Sequence, residues 1–302
     1  MLAGLRLRWQ SRPSLVDRVL AQAPREPAIP PVAGLLRVAC IQMALRTIDD
    51  PALWVEQCLA LTQAAVRVGA QLVVFPALAP WGLVNSLADA TLGKAIFADG
   101  EPPTAKQLAA YGRLYPALHR IYHRTFSHLA HRYRLTMAVG GLPAPRRSTV
   151  TLVANVFTPD GRLRLRQPAI VPSRLVETPE LLSVPIDGYR MTALIGERTT
   201  STWLGPAALA VDVDLIVILP PSGAGDTSAA GLAASSGLYV VQSSLVGDSE
   251  GTGLHGVTGI YAPSELSDHG TGTVQEVTSD RAEEVIVATL DLARRRKQPD
   301  AS

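Results

Sequence analysis

Cysteine is scarce in this chain: 302 residues contain only Cys40 and Cys58. Cys40 falls in an apolar strand pattern and Cys58 in a helical one. That excludes a disulfide framework, and both read as small core residues. Lysine is almost as rare. Of 28 basic residues only Lys94, Lys106 and Lys297 are lysines, and none lies on an expected core strand. Long apolar runs are missing too. None reaches the roughly 20 residues of a spanning helix, so no membrane span is expected. The opening MLAGLRLRWQSRPS has neither an uninterrupted apolar segment nor a small-residue cleavage site, and the expected location is cytoplasmic. With 47% hydrophobic residues and a formal net charge of +2, what remains is a globular protein large enough for one big core or two modest ones.

Residues 1–34 stand apart as an arm. Up to residue 23 a short basic amphipathic helix is expected, with Leu15, Val16, Val19 and Leu20 on one side, followed by the extended linker PREPAIPP. The arm reads first as a frayed terminus and second as a segment that docks a partner or a membrane surface. Residues 35–302 read as a single domain. LLRVACIQM is a buried strand, Asp50 caps a helix from Pro51 to about Val68, and QLVVF is the next strand. Residues 80–103 lack periodicity and are expected to form a loop.

A long helix is then expected from about Thr104 to Arg134, interrupted or bent near Pro116. His119 and His123 share one of its faces, but no third ligand stands at metal-site spacing. With five arginines nearby, that face is expected to be solvated, holding neither metal nor nucleic acid. Further on, LTMAVGGL and TVTLVANVF read as strands. TPDG (158–161) turns the latter into a strand of alternating Arg and Leu. Strand YRMTALI, a helix near 204–211, strand DLIVIL, the loop PPSGAGDTS, a helix over 227–236 and strand LYVVQSSLV follow in alternation, which gives mixed sheets covered by helices.

Three stretches carry a resemblance: LVVFPALAP (72–80), GRLRLRQPAIVP (161–172) and YRMTALIGER (189–198). Together with Gln42 at the end of the first strand and Gly69-Ala70 before the second, they resemble the carbon-nitrogen hydrolase, or nitrilase, superfamily from about Leu35 to Lys297. The resemblance implies a four-layer α-β-β-α sandwich and pairing through helices into a homo-oligomer or hetero-oligomer. In that family the stretches supply a glutamate base, a lysine that stabilises the oxyanion and a cysteine nucleophile. The matching positions here are Ala77, Gln167 and Gly196. A slip of one residue would not restore the set, because no cysteine follows Cys58 and no lysine lies between Lys106 and Lys297.

The expectation is therefore a degenerate member: a pseudoenzyme with a binding, regulatory or structural role, and no cofactor. Glu177, Glu197 and Ser222 are the remaining candidates to line a pocket, with Glu180 an alternative to Glu177. The competing expectation is a divergent hydrolase of C–N bonds with a displaced nucleophile. Ser222, with His255 and Asp226 as partners, is the candidate, and Ser249 within GDSEG (247–251) is another. SGAGDTS could also cradle an anion on backbone N–H groups.

Overall fold

In the computed structural model the described residues are 13–24, 30, 32–46, 48–88, 90–97, 103–147, 149–169, 180–195, 204–221, 228–249, 252–267 and 270–297. The chain opens with α1 (Pro13–Ala21), whose Leu15, Val16, Val19 and Leu20 are all buried. They face α2 (Pro51–Arg67) and α5 (Ala105–Tyr133), and an Arg124–Asp17 ion pair at 2.6 Å fastens the contact. The apolar face is where the sequence places it, but the helix is not a frayed arm. The chain's own helices cover this face: burial of the four aliphatic side chains offsets much of the cost of ordering nine residues, and the Arg124–Asp17 pair adds to it.

Strand β1 (Leu35–Leu45) leads into α2, which starts as its residues require. The Asp50 side chain accepts from the Ala52 N–H at 2.8 Å, and Pro51 occupies the first turn, where its missing N–H leaves nothing unpaired. Next come β2 (Leu72–Val74), α3 (Trp81–Leu87) and α4 (Ala90–Phe97). The two helices correct the expected loop over 80–103. Each is too short to show a period in sequence, and they are held by burial of Trp81, Leu83, Val84, Leu92, Ile96 and Phe97 and by stacking of Trp81 on Phe97 at 5.5 Å. Helix α5 runs without interruption through Pro116. It begins with a capping box between Thr104 and Gln107 and ends on Arg134 in the left-handed region, φ 53°.

Strands β3 (Thr136–Gly140), β4 (Ala144–Pro145), β5 (Val150–Thr151), β6 (Val153–Phe157) and β7 (Leu163–Pro168) follow, with the expected β6–β7 hairpin in place. The second half holds β8 (Val184–Ile186), β9 (Tyr189–Ile195), α6 (Leu204–Ala210), β10 (Leu215–Leu219), α7 (Ser228–Ser236), β11 (Tyr239–Gln242), β12 (Leu245–Ser249), β13 (Thr252–Leu254), β14 (Gly259–Tyr261), β15 (Thr273–Glu276), β16 (Glu284–Asp291) and α8 (Leu292–Lys297).

Two large mixed sheets result. One is ordered β13-β12-β1-β2-β3-β6-β7, with β16 also paired to β1, and the other β15-β14-β11-β10-β9-β8. They pack face to face, β9 against β6 and β7 and β10 against β3, making a four-layer α-β-β-α sandwich. Period-two alternation builds it. Met191, Ala193, Ile195, Val217 and Val241 enter the core between the sheets, while Leu194, Ile216, Ile218 and Val240 meet α6 and α7.

LYVVQSSLV proves to be two strands, not one. β11 belongs to the second sheet and β12 to the first, and the chain crosses between them at Ser243-Ser244. Side chains satisfy the backbone where the ladders break. Ser243 Oγ donates to the Ile41 carbonyl at 2.6 Å, and the Ser244 N–H donates to Thr258 Oγ1 at 3.0 Å. At the other end of the chain, α8 is clamped to the second sheet through buried Asp214, which accepts from Arg295 at 3.1 Å and from Arg296 at 2.6 Å. No helix among the described residues is long and apolar enough to cross a membrane.

Candidate functional site

Two of the three positions singled out in the sequence come to one end of the first sheet. Parallel strands β1, β2 and β3 deliver their carboxyl ends to the same rim, and the segment after β2 turns there. The Phe75 N–H donates to the Ala138 carbonyl at 2.8 Å, and Trp54 Nε1 donates to the Ala79 carbonyl at 2.8 Å. Ala77 thus lies against Gly140 at the end of β3: a Cβ on Gly140 would stand 2.0 Å from the Ala77 carbonyl oxygen. That close approach requires glycine there.

From Gly140 the register runs straight across the sheet. Gly140 pairs with Ala154 of β6, and Ala154 pairs with Gln167 of β7. At the usual strand spacing this sets Gln167 about 10 Å from Gly140. The stretches containing Ala77 and Gln167, 90 residues apart in sequence, therefore occupy one row facing the second sheet.

The chemistry in that row is neutral. Ala77 offers a fully buried methyl, flanked by buried Leu78 and Ala79. Gln167 is also buried, and its amide is engaged at both ends. Nε2 donates to the Glu180 carbonyl at 3.2 Å, and Oε1 accepts from the Leu182 N–H at 2.9 Å. Gln167 thus ties β7 to the chain entering β8. An amide supplies a donor and an acceptor together, whereas an ammonium group supplies donors only. Strand β9 ends on Ile195, paired with Leu219 of β10. Gly196, Glu197, Glu177 and Ser222 lie outside the described residues, as do Asp226 and nearly all of SGAGDTS.

Neither cysteine offers a thiolate. Cys40 is fully buried and its Sγ donates to the Gln242 carbonyl at 3.1 Å. Burial pushes its thiol far above the ordinary range. Cys58 is equally buried and is pushed up by burial first and by the charge of Glu283 second. Of the other nucleophile candidates, Ser249 lies in β12, paired with Thr252 of β13. GDSEG therefore leads into a β-hairpin rather than a strand-to-helix elbow. His255 faces Asp280, with Nδ1 to Oδ2 at 3.4 Å.

The histidines of α5 form a ring stack. His119 and His123 lie 5.9 Å apart, Tyr115 flanks the first at 5.6 Å and Phe157 the second at 5.4 Å. Burial holds both imidazoles below their usual pKa, and His123 and Arg166 add to the effect on His119. Among the described residues no group of three His, Cys, Asp or Glu side chains is placed to hold a metal ion.

No family model matches the sequence, and no curated protein matches it. Solved structures do. A doubly substituted amidase from Nesterenkonia sp. AN1, in complex with acrylamide, superposes with a TM-score of 0.62 at 16% identity, over 90% of this chain and 97% of that one. A singly substituted form of that amidase, described as from the nitrilase superfamily, gives 0.60 at 17% identity over 89% and 97%. A third form, in complex with butyramide, gives 0.59 at 16% over 87% and 94%. The fold of this chain is therefore that of nitrilase-superfamily amidases. At this level of identity the likeness is one of architecture.

Proposed function

We propose that the chain is a catalytically silent protein on the nitrilase scaffold, serving as a binding, regulatory or structural subunit. One observation carries this reading: where the resemblance places a glutamate and a lysine, the row across β3, β6 and β7 holds a buried methyl and an amide saturated by backbone. The sequence adds Gly196 at the cysteine position, and the chain's two thiols are both buried elsewhere.

The replacements are mutually consistent. A buried glutamate or lysine that has lost its counter-charge is destabilising by several kcal/mol, so loss of one favours neutralising the other. Assembly through helices, with itself or with an active relative, fits a subunit role.

The test is made on the unmodified protein. It is incubated with acrylamide and butyramide, and ammonia release is followed alongside native mass measurement with co-purifying partners. No release is expected. Sustained turnover by the pure chain would refute the proposal, and its loss in Ser222→Ala would assign the activity to a displaced serine.

A further inference from the structure

The charge of this protein is sorted, and the sorting marks a surface. Residues 104–168 contain eleven of the 28 Lys and Arg but one of the 26 Asp and Glu. This segment carries +10, while the rest of the chain, with 17 basic against 25 acidic residues, carries −8. A general preference for arginine would spread charge evenly, and it does not account for such an asymmetry.

Folding brings seven of the eleven onto one side. Arg120, Arg124, Arg132 and Arg134 belong to the outer side of α5 or to its end, and Arg164 and Arg166 alternate along the exposed side of edge strand β7, about 6.7 Å apart, with Arg162 just before it. The β6–β7 turn is tied to α5 by Ser127 Oγ, which donates to the Gly161 carbonyl at 2.7 Å, so the two rows run side by side. The acids that approach are already engaged: Asp160 by Arg162 and Arg164, Asp17 by Arg124.

The surface is concave. Grooves of about 390 and 500 Å³ share His128 and together extend along α5 from His119 to Arg134, about 22 Å of helix. Its one aliphatic lining residue, Leu20, is buried against the neighbouring helices. The exposed large hydrophobic residues of the described chain, Val32, Leu53, Val68 and Val211, all lie elsewhere. A protein interface needs a desolvated apolar or aromatic centre, and a bilayer meets a flat or protruding face. A trough lined by guanidinium and imidazole groups, with none of the exposed large hydrophobic residues, suits a flexible chain of phosphates.

We infer that the trough along α5, flanked by the β7 arginines, binds single-stranded nucleic acid through its phosphate backbone, without sequence preference. This reverses the expectation of a merely solvated face. It is independent of whether the nitrilase-like site is silent.

The experiment titrates the purified full chain against a labelled single strand of about 20 nucleotides at several salt concentrations. The matching duplex and phosphatidylserine vesicles are run in parallel. Binding to the single strand is expected to be the tightest of the three, with a log-log salt slope of about −2 to −4, corresponding to three to six phosphates. The variant R120Q/R134Q/R166Q, altered at three exposed arginines, should bind at least about tenfold more weakly and lose about 2 from the slope. R281Q, on the acidic remainder of the chain, should change neither. Absent or salt-insensitive binding, tighter binding to the duplex or the vesicles, or an unaffected triple variant would each overturn the assignment. Should the triple variant fail to fold, the wild-type slope and the ranking of the three probes decide the matter alone.

Discussion

The two faces of β7 have opposite character. Inward, Leu163, Leu165 and Gln167 meet the second sheet with no charge among them. Outward, Arg164 and Arg166 are exposed and flank the basic trough, with Arg162 just before the strand. One six-residue strand separates a neutral cleft from a charged surface by the period-two alternation of its side chains. The difference shows where this chain keeps its capacity for polar recognition. The inner row is packed, and the amide of Gln167 is paired with backbone. The helical side, where the scaffold requires only amphipathicity, carries the excess charge.

The largest expected effect breaks the inner row. In Gly140→Ala the added carbon would stand 2.0 Å from the Ala77 carbonyl, a backbone atom fixed by the hydrogen bonds at Phe75 and Ala79. Strand and loop must separate, and we expect about 3 kcal/mol or more of destabilisation by urea unfolding. A loss below about 1 kcal/mol would mean that the loop retreats easily and that Ala77 is not fixed in the row.

The next effect sharpens the contrast within one strand. Gln167→Leu keeps the side chain's bulk but strands the Glu180 carbonyl and the Leu182 N–H, so a loss of about 2 kcal/mol is expected. Arg166→Gln, one residue away on the exposed face, should change stability by less than about 0.5 kcal/mol. Equal losses in the two variants would remove the distinction between the faces.

Much of this architecture is legible in the amino-acid sequence, for reasons that differ by element. Asp50-Pro51 announces a helix start by local chemistry alone, and the three motif stretches align the chain with a known scaffold. By contrast, α3 and α4 are held by burial of Trp81 and Phe97 and have too few turns to show a period. The strand break at Ser243-Ser244 is invisible because YVVQSSLV is apolar on both sides of the crossing, and only long-range pairing assigns its halves to different sheets. At the site, the identities at positions 77 and 167 can be read from the chain, but not what they do. That Gln167 bridges backbone groups 13 and 15 residues further on depends on how the chain returns into β8.

The smallest predicted effect lies on the outer side and depends on pH. His119, His123 and His128 are half-buried along α5, and each is held below the usual 6.5, chiefly by burial. Neighbouring charges add to this: His123 and Arg166 act on His119, and Arg124 and His131 on His128, while Asp17 pulls His128 the other way. A depressed imidazole binds its proton less readily folded than unfolded, so its contribution to stability is full above 6.5 and declines as pH falls from there through the folded values. The unfolding midpoint should therefore drop between neutral pH and about pH 5, before most carboxylates titrate. H119Q/H123Q removes two of the three groups and should flatten that drop. An unchanged slope in the double variant would show that the stacked rings are not what resists protonation. It would also leave the basic residues beside them as the only feature separating this face of the sheet from the neutral one.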